Sequence, residues 1–204
     1  SMGNAICGDQ KVCTSRLKYL TSLNVLGLGI SDLTGIEDFI QLQHLECQNN
    51  FLTSLDVSSI GVNDPFSCSV NKLTRVWCHN NQLTSLNVDQ AVLLDWLRCM
   101  TNQLTTLDVS NNTALTRLQC QNNQLTSLDV SNNTALEELH CQNNQLTNLD
   151  MRNGNNTNMG VSTFGGLKAT GNNLTIVYVD NVNFANNQVV NGNWDFDSGV
   201  TFSL

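Results

Sequence analysis

Apolar positions along this chain follow a long period that neither one helix nor one continuous strand explains. From Leu115 the sequence reads LTRLQCQNNQLTSLDV, and from Leu136 it reads LEELHCQNNQLTNLDM, a shift of 21 residues. The same line starts at Leu94, Leu73 and Leu42, a divergent copy starts at Phe164, and a 22-residue forerunner starts at Leu20. Seven units result. Numbered from its first Leu, each unit alternates through positions 3 to 7: 4 and 6 are apolar, whereas 3, 5 and 7 are mostly polar or aromatic. Alternation sends successive side chains to opposite faces of a strand, which predicts one short strand per unit with positions 4 and 6 inward.

The line LxxLxCxxNxL is the leucine-rich-repeat pattern, in which each unit lays a strand beside the last and returns outside it. The expected fold is therefore a solenoid of about seven coils, with a parallel β-sheet on the concave face and short turns or irregular segments on the outer face. Neighbouring strands lie ~4.8 Å apart, and each coil buries its Leu side chains only against the next. Residues 1–19 are expected to form an N-terminal flank, 20–180 the repeat domain and 181–204 a C-terminal cap. Insertions near 58–72 and 152–163 are expected to bulge from the outer side or edge. Trp194, amid the aromatics of the last stretch, is expected in the core of the cap.

Three fixed columns follow from this frame. Asn50, Asn81, Asn102, Asn123, Asn144 and Asn172 stand where the chain leaves the strand, and their amides can bond backbone groups of two coils. Asp56, Asp108, Asp129 and Asp150, with Asn87 in the gap, suit turn capping better than a cation site. Cys47, Cys78, Cys99, Cys120 and Cys141 hold the inward position 6. No CxxC pair points to metal, and parallel strand spacing is too wide for bridges along the column, so buried reduced thiols are expected. A Cys7–Cys13 bridge is a plausible clamp at the N-terminal end, with Cys68 then left free.

The net charge is −8 and the Lys+Arg count only 9, which argues against a nucleic-acid partner. No apolar run approaches the ~20 residues of a membrane span. Neither GxSxG, HExxH nor a phosphate-binding glycine loop occurs, so no enzyme, cofactor or metal is expected. Cysteines beside His79 and His140 point inward while the imidazoles point outward, which excludes Cys–His dyads.

Leu94 to Met151, with units of the form LxxLxCxNNQLTxLDVSxNTx, resembles bacterial leucine-rich-repeat surface proteins of the internalin J type, which carry a cysteine ladder. A looser resemblance covers about residues 20–180. It implies a secreted or cell-surface protein that binds another macromolecule, often in adhesion.

Whatever distinguishes one unit from the next sits on the outward strand positions. There the sequence collects Arg75, Trp77, His79, Trp96, Arg98, Met100, Arg117 and His140. Trp, Arg and His are frequent interface anchors. Stacking of Arg98 or Arg75 over an indole is feasible from adjacent strands, and Glu137 with Glu138 forms an acidic corner beside them. The bland reading is that Trp and Arg stack only to cover the sheet. The leading expectation is a protein-binding face. Glycan binding is one alternative. Adsorption to a periodic solid such as ice, through the column Thr53, Thr84, Thr105, Thr126 and Thr147, is another, and it requires those threonines to form an open row.

Overall fold

The computed structural model describes residues 19–62, 70–159 and 166–204, the residue at 17, and the backbone of the segments 6–7 and 11–12. Cys13, Cys68 and the side chain of Cys7 lie outside the described residues, and with them the proposed Cys7–Cys13 bridge. β1 (Ile6–Cys7) and β2 (Lys11–Val12) pair antiparallel. The repeats then contribute β3 (Ser22–Asn24), β4 (His44–Glu46), β5 (Ser54–Asp56), β6 (Arg75–Trp77), β7 (Ser85–Asn87) and β8 (Trp96–Arg98). They continue with β9 (Arg117–Gln119), β10 (Ser127–Asp129), β11 (Glu138–His140), β12 (Asn148–Asp150), β13 (Leu167–Lys168) and β14 (Ile176–Tyr178). A helix, α1 (Val182–Val190), then leads to β15 (Trp194–Asp195) and β16 (Thr201–Ser203).

Eight of these strands form one parallel sheet in the order β3, β4, β6, β8, β9, β11, β13, β15. Seven come from the seven units in sequence. The eighth comes from the C-terminal segment, where Leu167 registers with Trp194. The outer side is more regular than turns alone: the LDV-type segments pair as β5–β7 and as a four-stranded ladder β10–β12–β14–β16. That outer ladder breaks at Thr106–Asp108, which forms no strand. Between the two sides lies the core, in which Leu45, Val76, Leu97, Leu118, Leu139 and Leu167 are fully buried. Burying each such side chain contributes ~1.5–3 kcal/mol, and only a neighbouring coil supplies the contact.

The asparagine column works as anticipated. Asn123 donates from Nδ2 to the carbonyls of Cys99 (3.1 Å) and Cys120 (3.0 Å), and its Oδ1 accepts from the backbone N–H of Leu104 (3.0 Å). Asn102 and Asn144 repeat this pattern on their own neighbours. One side chain thus satisfies backbone groups of two coils that a buried turn would otherwise leave unpaired. A second column, invisible in the strand motif, stands at the end of the return segment. Asn112 bonds the carbonyls of Val88 and Ala91, Asn133 those of Val109 and Asn112, and Asn153 that of Asn133.

The Asp column caps turns. Asp56, Asp108 and Asp129 each accept at 2.9 Å from the backbone N–H two residues on, and Asp150 does so at 3.1 Å. Bonds from the side chain and backbone of Ser110 hold Asp108 below the usual carboxylate range. No group of three or more His, Cys, Asp or Glu side chains among the described residues is arranged to hold a metal ion.

All five column cysteines are buried and free. Burial pushes the thiols of Cys47 and Cys120 up to about 12, so they stay protonated and serve as small apolar side chains.

Between strand and return, the chain turns through a left-handed residue. Asn49, Asn80, Asn122 and Asn143 take φ between 54° and 58°, the conformation Asn tolerates best among side-chain-bearing residues. Thr101 occupies the same place at φ 55°, a strained setting for a β-branched side chain. Gly171 stands there in the next unit at φ 70°, where an added Cβ would collide with Asn143 Oδ1. Of the segment 152–159, Asn153, Asn156 and Met159 are buried. The cap closes over Trp194, which is buried, meets Phe184 and Phe202 edge to face, and donates its indole N–H to the Met159 carbonyl at 3.3 Å.

Candidate functional site

Register fixes which variable side chains meet. β6 and β8 pair so that Arg75 stands beside Trp96 and Trp77 beside Arg98. β8 and β9 place Trp96 beside Arg117, and β9 and β11 place Gln119 beside His140. Trp77 and Trp96 pack edge to face with ring centroids 5.1 Å apart. The Arg98 guanidinium sits 5.2 Å from the Trp77 ring and 5.5 Å from that of Trp96. Arg117 covers Trp96 at 3.9 Å, so Arg117 and not Arg75 is the second stacked cation. The group is therefore a continuous stack, in which each cation lies on an indole and each indole on the next.

A polar chain continues from the stack. Arg98 Nε donates to Gln119 Oε1 at 2.9 Å, and Gln119 Nε2 donates to Glu138 Oε1 at 2.6 Å. His140 Nδ1 lies 3.5 Å from the same carboxylate oxygen. Glu138 is only 1% exposed, so the acidic corner expected from the sequence is not open: Glu138 is drawn into the sheet and only Glu137 faces water. Burial lowers the pKa of His140, against the pull of Glu138 and assisted by Lys168. The imidazole is then neutral at pH 7, so its 3.5 Å approach to Glu138 is not an ion pair. His79 is held down to about 4, first by burial and then by the Arg98 charge. Arg117 also lies 3.7 Å from Asp95.

Of the remaining expected residues, Arg75 is exposed, while Met100 and His79 are half-buried just beyond their strands. All eight named residues lie on or immediately after the strands of one sheet. Gln48, Gln121 and Gln142 also belong to this face, level with His79 and Met100. They hold the outward position 7 of their units, within the recurring CQNN, and were not among the eight residues singled out.

Seven buried polar atoms on this face have no hydrogen-bond partner among the described residues: Trp77 Nε1, Trp96 Nε1, His79 Nδ1, His140 Nε2, and the Oε1 atoms of Gln48, Gln121 and Gln142. A buried polar atom left unpaired costs roughly 1–3 kcal/mol, so such a cluster is unusual in a closed structure.

Strands in register, an asparagine ladder and a return segment in every coil define a leucine-rich-repeat solenoid. The leucine-rich-repeat domain of APL1B superposes with a TM-score of 0.61 at 21% identity, covering 78% of this chain and 46% of that one. Internalin C2 of Listeria monocytogenes gives 0.50 at 17% identity, covering 85% and 87%. These two carry the fold. The functional domain of InlJ from Listeria monocytogenes, which includes a cysteine ladder, is 25% identical over 84% of this chain and 52% of that one, and superposes less closely at 0.34. The chain thus spans about half the length of the APL1B and InlJ structures. No family model and no curated protein matches it. No helix among the described residues is long and apolar enough to cross a membrane.

Proposed function

We propose that this chain is a non-enzymatic recognition module of the internalin J type, secreted or displayed on a bacterial surface. It binds a protein partner through the strand face centred on Trp77, Trp96 and Arg98. The observation that supports this reading is the concentration of unpartnered buried polar atoms around a stacked aromatic-cationic cluster. Large aromatics and arginines flanked by such groups are what interface anchors are made of. Affinity capture from surface extracts of candidate host or neighbouring cells, with a Trp77→Ala/Trp96→Ala double variant as control, tests it. A partner retained by the parent chain and lost by the folded double variant supports the reading; equal capture by both moves the site elsewhere.

One observation favours a second reading. Thr53, Thr84, Thr105, Thr126 and Thr147 are all exposed, which meets the exposure part of the flat open row that adsorption to a periodic solid requires. Thr84 directs its hydroxyl to the Thr53 carbonyl at 3.2 Å, which takes that hydroxyl's proton out of play. A bulky Thr126→Tyr variant that alters ice-crystal growth relative to the parent would favour this second reading over the first.

A further inference from the structure

Granting the strand-face reading, we infer that its occupant is an acidic, extended protein segment that crosses the strands from Arg75 to Lys168. Four of the cations described outside the N-terminal flank, Arg75, Arg98, Arg117 and Lys168, lie on this one sheet of an otherwise acidic chain. Two of them already have work: Arg98 bonds Gln119, and Arg117 lies beside Asp95. Arg75 and Lys168 form no ion pair with any described residue and stack on no ring. They stand on β6 and β13, four strand intervals apart. At ~4.8 Å per interval the span is roughly 19 Å, which about six residues of extended chain cover.

Between these two cations lie the unpartnered groups. The indole N–H groups of Trp77 and Trp96 need acceptors, and the side-chain carbonyls of Gln121 and Gln142 need donors. These atoms are buried in the free chain, so a peptide reaches them only as the Trp and Gln side chains change rotamer; an extended peptide, with one donor and one acceptor per residue, then supplies both kinds along its length. Carboxylates at its two ends complement Arg75 and Lys168 in charge. The body of the protein limits how acidic the partner can be. A net charge of −8 repels a long polyanion, and Asp195 beside Lys168 and Glu46 beside Trp77 limit the partner to two carboxylates separated by neutral residues and aimed at the cations themselves.

Selection of a phage-displayed random 12-residue peptide library against the intact chain tests this. The expected peptides carry two Asp or Glu residues about six positions apart and bind in a Trp96-dependent way. Arg75→Glu and Lys168→Glu should each weaken them about tenfold or more, with unchanged melting temperature. Replacing the matching peptide acid by Lys should restore binding to the reversed variant. Peptides that need Trp96 yet lack acids and ignore both reversals overturn the acidic-segment inference while leaving the strand face as the site. Peptides indifferent to both Trp77 and Trp96 overturn the strand-face reading itself. Arg75-dependent binding of an acidic oligosaccharide array, with no peptide selected, overturns the choice of a protein occupant.

Discussion

The two walls of each coil use polar residues in opposite ways. On the return side, Asp108 and Asp129 cap their own turns, and Asn112 and Asn133 tie successive coils through two carbonyls each. Among the described residues, the Oδ1 atoms of these two asparagines are the only buried side-chain polar atoms left unbonded there. On the strand side, seven buried polar atoms lack partners among the described residues, and the large side chains stack on one another. The difference separates polar groups bonded into the coils from polar groups that the coils leave unbonded. A polar group bonded to backbone carbonyls or N–H groups answers a need of the coil, whereas the unbonded atoms of the strand side, recurring glutamines included, do not.

That contrast can be broken from either side. The largest effect is expected for Asn123→Ala, which leaves the buried Leu104 N–H unpaired and removes one of the two asparagine bonds to each of the Cys99 and Cys120 carbonyls, Asn102 and Asn144 keeping the others. It should cost about 3 kcal/mol in urea unfolding, with partner affinity preserved wherever the protein remains folded. Trp77→Ala or Trp96→Ala should do the reverse, reducing partner affinity by about 2 kcal/mol by calorimetry with little change in unfolding. If the Trp variants instead unfold the chain as readily as Asn123→Ala does, the stack belongs to the framework and the contrast fails.

Acid provides a third probe. His79 titrates at about 4 in the folded chain against an ordinary 6.5. Between those values the unfolded chain binds a proton that the folded one refuses, so stability declines as pH falls from about 6.5 towards about 4 and this contribution then levels off. His79→Gln should flatten that part of a stability–pH curve measured by chemical denaturation. The smallest effect is expected at the rim. Thr101 holds the left-handed place that Asn fills in four other coils, so Thr101→Asn should raise stability by about 1 kcal/mol and leave binding unchanged.

Much of this contrast was legible in the residues themselves. The buried ladder of Asn102, Asn123 and Asn144 and the free thiols of Cys99 and Cys120 follow from invariance at a fixed position in a 21-residue unit. The second column, Asn112 to Asn153, went unseen because Ala91 and Ile60 occupy its place in earlier units and interrupt the pattern. Gln121 and Gln142 were legible as outward position-7 residues, but nothing in their regular recurrence signals that their buried carbonyls lack partners among the described residues.

Period and alternation alone determined that the chain coils, which side chains enter the core and which eight share the outward face. They could do so because one repeating unit imposes the same backbone path each time. Only the tertiary structure decided what the outward residues do to each other: that Arg117 rather than Arg75 covers Trp96, that Glu138 sinks beside Gln119, and that the indole N–H groups are buried without acceptors. Those outcomes depend on the rotamers of long side chains competing for one surface, and the spacing of residues in a sequence does not encode that competition.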